Sequence, residues 1–171
     1  MPFTIRESRR DDFDRLWHID QRCFPPEISY SRLELAVYMR RAGSFTLVAE
    51  TADNGDQVMR TKISASQSHQ IIGFIVAQAQ RRGSGHIITI DVLEGARRSG
   101  VGSKLLDSAE ERLRSAGCTE VHLETAVDNM AAVAFYKRQG YYLEKTVPRY
   151  YSNGIDAFIL KKDLLPPPAR G

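Results

Sequence analysis

A basic, glycine-containing segment near the middle of the chain has the composition of an anion-binding turn. It consists of Arg97-Arg98-Ser99-Gly100-Val101-Gly102 and stands between a strand-like apolar run at 86–93 and a helical pattern. A helix begins with backbone N–H groups that lack intrahelical acceptors, at the positive end of its dipole, and both features attract phosphate. Glycine lets the backbone approach such a ligand closely, and Arg97, Arg98 and Lys104 add charge. The segment therefore predicts a pyrophosphate site.

Other glycine-rich turns bind phosphate with different patterns. An NTPase loop needs GxxxxGK followed by Ser or Thr, and although Gly95 and Gly100 have that spacing, Val101-Gly102 follows them. A dinucleotide fingerprint needs a third glycine where Leu105 stands. Both patterns are therefore excluded. A purely structural role, in which two glycines tighten a turn, stays open until the surrounding elements are considered.

Hydrophobic periodicity places this turn within an alternation of strands and helices. The predicted strands are 3–7, 45–51, 70–80, 86–93, 120–126, 141–147 and 155–161, and 86–93 is expected to be a central strand buried on both faces. The predicted helices start at Asp11 or Asp12, at a capping box of Ser31 with Glu34, at Gly100, and at Asp128 or Asn129. The polar segment 52–69 is predicted to be a mobile surface loop.

Composition predicts one globular domain over residues 1–163 and a disordered tail at 164–171 that begins before three consecutive prolines. The net charge of +3 is too small to indicate nucleic-acid binding. Cys23 and Cys118 lack metal-ligand or disulfide spacing, so no metal is expected. With no secretory signal and no apolar stretch of about 20 residues, the expected location is the cytoplasm, away from membranes.

The order of these elements and their motifs resembles the GNAT superfamily of acetyltransferases over almost the whole chain. The order is strand, RxxGxG, helix, strand, Asn, short helix with Phe-Tyr, Gly and strand. The residues that carry it are Arg97, Gly100, Gly102, Asn129, Ala132, Phe135, Tyr136 and Gly140. The resemblance implies an α/β fold of mixed α+β character. In that fold, about four helices surround one twisted mixed sheet of about seven strands, and two parallel central strands splay apart.

The same resemblance implies acetyl-CoA as cosubstrate, with its pantetheine arm in the gap between the splayed strands. The cofactor-binding residues that it implies are Val92, Leu93, Arg97, Arg98, Ser99, Gly100, Val101, Gly102, Ser103, Asn129 and Tyr136. Two positions depart from the family pattern. Glu94 replaces the usual proline two residues after Val92, and Ala96 replaces a common aromatic residue.

A second set of motifs resembles the branch of the family that acetylates protein α-amino groups, including bacterial ribosomal-protein alanine acetyltransferases. These motifs are Phe24-Pro25 and Arg149-Tyr150-Tyr151. They flank the peptide groove in that branch, which implies that Phe24, Pro25, Tyr150 and Tyr151 bind the acceptor. Lysine side chains, polyamines or small amines are alternative acceptors, and a CoA-binding module without catalysis is a further alternative. The oligomeric state is open, a homodimer included.

Acetyl transfer to an amine needs a neutral nucleophile, a stabilised oxyanion and a proton for the thiol. Positions that match general bases in relatives make His86 and Glu124 the candidate bases. Strand alternation adds His122, and Asp91 is a further candidate near the splay. Backbone N–H groups around Val92 would stabilise the oxyanion by analogy. Tyr136 would serve first as a hydrogen-bond donor to the thiolate, because a phenol of pKa about 10 is a weaker acid than a thiol of about 8.5.

Each of these residues also has an ordinary structural interpretation. A histidine or glutamate on a half-buried strand is often only hydrogen-bonded, and Asn129 is also suited to cap a helix. The two tyrosines of the Arg149-Tyr150-Tyr151 motif could form a surface aromatic pair. The chemistry therefore depends on whether the fold brings these residues together.

Overall fold

The computed structural model describes residues 2–51 and 69–164, which form a mixed β-sheet with helices on both faces. Its strands are β1 (Phe3–Glu7), β2 (Ser44–Thr51), β3 (Ile71–Ala79), β4 (Ser84–Val92), β5 (Glu120–Ala126), β6 (Tyr142–Val147) and β7 (Ala157–Asp163). Its α-helices are α1 (Phe13–Cys23), α2 (Arg32–Arg40), α3 (Val101–Ser115) and α4 (Met130–Arg138). The predicted fold class is confirmed, with ends that shift by one or two residues.

The strands are ordered β1-β2-β3-β4-β5-β7-β6, and within the described residues only β4 and β5 pair in parallel. Their pairing stops early. Ser84 pairs with Glu120, Gly85 with Val121 and His86 with His122. Beyond these residues, β4 continues to Val92 and β5 to Ala126, but the two strands no longer pair with each other. The predicted splay of the central parallel pair is therefore present.

The two faces of the sheet carry separate cores. On one face α3 packs Val101, Leu105, Leu106, Ala109 and Leu113 against the strands. On the other face α1 and α2 contribute Leu16, Ile19 and Leu35, which pack against Val48, Phe74 and Val76. Because each strand alternates its side chains between the two faces, the sheet supports two different environments.

Strand β4 is less buried than predicted. His86, Ile88, Ile90 and Val92 are only half-buried, and the residues between them are buried. The expectation of burial on both faces is therefore wrong, and after His86 the edge of β4 also lacks pairing with β5. A β-bulge adds to the irregularity: Val76 pairs with Thr89 and Ala77 with Ile87, which leaves Ile88 as the extra residue.

Two of the three predicted N-cap residues form the expected hydrogen bonds at the start of their helices. The Ser31 hydroxyl accepts from the Glu34 N–H at 3.1 Å and the Glu34 carboxylate accepts from the Ser31 N–H at 2.7 Å, so the predicted capping box is present. Asn129 caps α4 through Ala132. Asp12 lies at the N-cap position of α1 but makes no cap bond, because its carboxylate binds Arg6.

Two further expectations concern the segment 52–69 and the C-terminal tail. The predicted mobile loop at 52–69 lies almost entirely outside the described residues, as do residues 165–171 of the predicted tail. Leu164, the first residue of that tail, is buried and donates its N–H to the Thr119 carbonyl at 2.7 Å. Among the described residues, no helix combines the length and the apolarity that a membrane crossing requires.

Candidate active site

The predicted anion turn leads directly into α3. Arg98 (φ 62°) and Gly100 (φ 87°) both adopt left-handed backbone conformations, and Gly100 is the N-cap residue of the helix. The first helical hydrogen bond runs from the Lys104 N–H to the Gly100 carbonyl at 3.0 Å. The N–H groups of Val101, Gly102 and Ser103 precede that bond and have no intrahelical acceptor. The turn therefore offers the amides that a pyrophosphate needs.

The two glycines serve different purposes. A Cβ at Gly100 would meet nothing within 4 Å, so its requirement is the positive φ, and the space beside it is open. A Cβ at Gly102 would lie 3.3 Å from the Phe135 ring, so this glycine allows α4 to pack against α3. The positive φ explains Gly100, whereas helix packing explains Gly102, for which the sequence suggested ligand approach.

Side chains hold the turn and its preceding strand in place. The Arg97 guanidinium donates to the Val92 carbonyl at 3.0 Å, and the Ser99 hydroxyl donates to the Ala96 carbonyl. These two predicted cofactor residues therefore have structural partners of their own. The open amides, the left-handed N-cap and the basic residues together fit a coenzyme A pyrophosphate.

At the end of β4, the N–H groups of Val92 and Leu93 point in opposite directions, although the sequence analysis grouped both residues as cofactor-binding. The Leu93 N–H donates to the Ile72 carbonyl at 2.9 Å, and the Leu93 side chain packs against the α1 and α2 core. The Leu93 amide is therefore occupied within the sheet, and the place of Leu93 in the cofactor site stays a prediction. Strand alternation directs the Val92 N–H the other way, into the gap that β5 leaves.

Tyr136 projects from α4 toward that gap and is 8% exposed. Its ring packs against Phe135 and Tyr141, with ring centroids 5.3 Å and 5.8 Å away. Burial raises the pKa of Tyr136, and the nearby Asp91 and Tyr151 raise it further. The phenol therefore stays protonated at neutral pH and is available as a donor. Gln139, which the sequence did not single out, joins α4 to α3 by donating to the Ser103 hydroxyl at 2.9 Å.

The candidate bases lie together where β4 and β5 are still paired. His86 Nε2 lies 2.8 Å from Glu124 Oε2, and the His86 ring stacks on His122 at 4.5 Å between centroids. Burial acts to raise the pKa of Glu124, but the hydrogen bond from His86 and the charges of both histidines outweigh it, so the pKa is lowered. Burial, and then His86, lower the pKa of His122.

The same three side chains offer metal-ligand atoms within 4.8 Å of one another. The two imidazole planes, however, differ by only 8°. An imidazole lone pair lies in its ring plane, so two stacked parallel rings cannot both direct a nitrogen at one ion unless one of them turns. The arrangement suits proton transfer better than metal ligation.

The predicted acceptor residues converge from two loops. Phe24 and Pro25 follow α1, whereas Tyr150 and Tyr151 lie between β6 and β7. The Ser152 hydroxyl donates to the Glu27 carbonyl at 3.0 Å and so joins the two loops. Tyr150 and Tyr151 contact each other edge to face. Burial raises the pKa of both phenols, and the negative charge of Glu124 raises it further.

Tyr30 and Tyr38 form a second pair of tyrosines in contact, and the sequence did not single them out. Their rings lie 5.1 Å apart, and the Tyr30 hydroxyl donates to the Ile88 carbonyl at 3.4 Å. Tyr30 thereby reaches the bulge of β4. Tyr30 lies five residues after Pro25 and belongs to no recognisable local motif. Only the packing of α1, α2 and β4 therefore reveals its contact with β4.

An anion-binding helix start beside a splayed parallel strand pair defines the coenzyme A-binding class of acyltransferases. The chain matches the family model described as "Acetyltransferase (GNAT) family" over residues 13–141, and it belongs to that family. The predicted family and the acetyl-CoA-dependent acetyltransferase activity are therefore confirmed.

The chain is also similar to proteins named as N-alpha-acetyltransferases. An N-alpha-acetyltransferase of Saccharolobus solfataricus is 25% identical over 163 residues, which cover 95% of this chain and 93% of the relative. N-alpha-acetyltransferase 30 of Schizosaccharomyces pombe is 36% identical over 98 residues, or 55% of this chain and 65% of the relative. The crystal structure of Ard1 from Thermoplasma volcanium has a TM-score of 0.81 at 26% identity, covering 97% of this chain and 100% of that one.

Proposed function

We propose that the enzyme transfers the acetyl group of acetyl-CoA to the α-amino group of a peptide or protein N-terminus. The names of the relatives support this acceptor. The observation that carries the proposal is the environment of Glu124, a half-buried carboxylate that lies 2.8 Å from His86 Nε2 and whose pKa is lowered. Such a carboxylate is a modest base.

A modest base suits an α-amine better than a lysine side chain. Neutralising an α-amino group of pKa about 7.7 to 8.0 at pH 7 costs about 1 kcal/mol, whereas a lysine of pKa about 10.4 costs about 5 kcal/mol. Glu124, oriented by His86 at 2.8 Å, would accept the proton of the amine through a water molecule. We place His86 as the residue that holds Glu124 in position.

The remaining roles follow from what the other side chains can donate. The N–H groups of Val101, Gly102 and Ser103, with Arg97 and Arg98 nearby, would hold the pyrophosphate. The Val92 N–H would stabilise the oxyanion, because it is fixed by its strand before charge develops. The Tyr136 hydroxyl would donate a hydrogen bond to the departing sulfur. The bound cosubstrate supplies an activated thioester as acetyl donor.

The acceptor is tested by mass spectrometry of a mixed library incubated with acetyl-CoA. The library contains peptides beginning with Ala, Ser or Met, the same peptides with blocked N-termini and an internal lysine, and small polyamines. We expect acetylation at free α-amino groups, located by fragmentation. Acetylation confined to lysines or polyamines would reject the proposed acceptor, and tight acetyl-CoA binding without turnover would favour a non-catalytic module.

We also infer a cytoplasmic enzyme whose acceptor is a peptide and not a nucleic acid or a membrane surface. The small net charge of +3 supports this part of the proposal, because binding to phosphate-rich surfaces needs strongly basic patches. A homodimer stays a prediction, and size-exclusion chromatography with light scattering would test it.

A further inference from the structure

Two acidic side chains meet in the interior beneath the carboxyl-terminal end of β4. Asp20, from the last turn of α1, is 0% exposed, and Asp91, from β4, is 1% exposed. The Tyr30 N–H and the Gln21 side-chain amide donate to Asp20 Oδ2 at 2.7 Å and 3.4 Å. The Thr89 hydroxyl donates to Asp91 Oδ1 at 2.5 Å. One oxygen of each carboxyl group therefore has neutral donors.

The other two oxygens, Asp20 Oδ1 and Asp91 Oδ2, are buried and have no donor among the described residues. The two carboxyl groups are neighbours, because the Cys23 thiol, one turn after Asp20, contacts the carbonyl of Val92, the residue after Asp91. Since the other oxygen of each group already has donors, Asp20 Oδ1 and Asp91 Oδ2 are the atoms left for a direct contact between the two groups. Ionised carboxylates only accept hydrogen bonds, so the contact needs a proton.

Within residues 2–51 and 69–164, neither carboxyl group forms an ion pair with a cation. The titratable groups that face it are Cys23 from α1, Glu34 from α2, Tyr30 from the connecting loop and Tyr136 from α4. The nearby Arg97 guanidinium is bonded to the Val92 carbonyl. Burial is the largest influence on both carboxyl groups and raises the pKa of each. Asp20 also lies near the negative end of the α1 dipole, which disfavours a second charge.

We propose that Asp20 and Asp91 share one proton, and that this protonated pair positions the end of β4 for acetyl transfer. The pair joins α1 to the residue before Val92, and the Cys23 thiol, from the same helical turn as Asp20, donates to the Val92 carbonyl at 3.5 Å. The N–H of Val92 is the proposed oxyanion donor. Loss of the shared proton leaves two buried like charges, which repel each other and separate α1 from β4. The positioning part rests on the acetyltransferase activity but not on which amine accepts the acetyl group.

The shared proton is tested by unfolding in urea between about pH 5 and pH 7, where unfolded aspartates of pKa about 3.9 bind no proton. The double variant Asp20→Asn/Asp91→Asn keeps an amide hydrogen bond but removes both titrating groups. If the wild type holds one extra proton when folded, its unfolding equilibrium constant rises relative to that of the double variant, about tenfold per pH unit. Asp107→Asn, an exposed site on α3, should behave as the wild type does.

A difference of no proton or of two protons between the wild type and the double variant overturns the sharing. Should the double variant fail to fold, infrared spectroscopy of wild type labelled with ¹³C-aspartate decides the matter. A protonated carboxylic acid band at pH 7 supports the sharing, and its absence rejects it. Neither measurement depends on catalysis, so both remain valid whichever amine is the acceptor.

The positioning role is tested with whichever amine the wild type acetylates. Asp20→Ala should lower kcat by about tenfold or more and leave the affinity for acetyl-CoA nearly unchanged, because it removes the hydrogen bond that holds Asp91. Asp20→Asn should recover most of kcat, because the amide can donate to Asp91 Oδ2. An Asp20→Ala enzyme with wild-type kcat overturns positioning, and so does an Asn variant that recovers stability but not kcat.

Discussion

Buried carboxyl groups on the two faces of the sheet are satisfied in different ways. On the α3 face, Glu110 is 2% exposed, and it accepts from Lys162 Nζ at 2.6 Å and from the Tyr141 hydroxyl at 3.3 Å. On the other face, Asp20 and Asp91 have only neutral donors and each other. The carboxylate of the first site therefore has a lysine cation as its partner, whereas the second site has none and responds to protons.

Glu124 is intermediate between these two cases. It lies on the same face as Asp91, and its partner His86 at 2.8 Å is itself titratable. The carboxyl groups of this central region therefore have neutral donors or a histidine as partners, whereas Glu110 on the α3 face has a lysine. The difference indicates that proton chemistry belongs to the centre of the face that carries α1 and α2, and structural ion pairing to Glu110.

The largest expected effect is the loss of kcat/KM when Glu124 is replaced. Replacing Glu124 by Gln should lower kcat/KM by about 10²- to 10⁴-fold, the usual contribution of a general base. Steady-state kinetics with an N-terminal peptide measures the loss, and urea unfolding checks that the fold persists. Glu120→Gln is the matched control on the same strand, because Glu120 pairs with Lys161 at the surface and should leave kcat/KM unchanged. Equal activities of the two variants would contradict the assignment of Glu124.

The structural side of the comparison is tested at Lys162. Lys162→Met leaves the buried Glu110 with the Tyr141 hydroxyl as its remaining donor, and it should lower the free energy of unfolding by about 1–3 kcal/mol. Acetylation rates of the folded enzyme should stay near those of the wild type. Lys161→Met is the neighbouring control and should cost less, because its partner Glu120 is exposed. A larger loss at position 161 would refute the distinction between the two lysines.

A smaller catalytic effect is expected where the two faces meet, at Tyr136. Tyr136→Phe removes the proposed donor to the departing sulfur and should lower kcat by about 10- to 100-fold, because hydrogen bonds to charged groups contribute about 1.5–3 kcal/mol. Binding of acetyl-CoA, measured by calorimetry, should change little. Tyr142→Phe, on the exposed strand β6, serves as the control. An unchanged kcat would leave Tyr136 with a packing role only.

The smallest expected effect is on the pH dependence of the free energy of unfolding, at Asp12. Hydrogen bonds from Arg6 lower the pKa of Asp12, so its contribution to stability is present above the unfolded pKa of about 3.9 and is lost as pH falls. Asp12→Asn should lower the free energy of unfolding by about 1 kcal/mol or less at pH 7. The difference should vanish in the acid range. A difference that instead grew as pH fell would show that Arg6 does not control this carboxylate.

Most of the fold could be predicted from local patterns. The Ser31 and Glu34 capping box and the apolar stripe of α3 are short-range signals, and both appear in the structure. The bulge at Ile88 and the exposure of β4 beyond His86 could not be predicted, because both depend on how β3 and β5 pair with that strand. The buried Leu164 likewise depends on a distant partner, Thr119.

The candidate site divides in the same way. The turn at 97–102 and Tyr136 belong to contiguous motifs that the family resemblance carries. Tyr30, Gln139 and Asp20 belong to no such motif, and their places became visible only through contacts with residues far away in the chain. The partner of the Leu93 amide could not be predicted either, because the direction of an N–H group in a strand depends on which neighbour it pairs with.

The amino-acid sequence by itself determined the family, the anion-binding turn and the types of side chain available for acetyl transfer, because these depend on residue identity and short spacing. Tertiary structure decided which of them meet. The contact of His86 with Glu124, the joining of two loops by Ser152 and Glu27, and the buried Asp20 and Asp91 pair each connect segments separated by many residues. Burial then sets their proton affinities, and burial is a property of the packed chain.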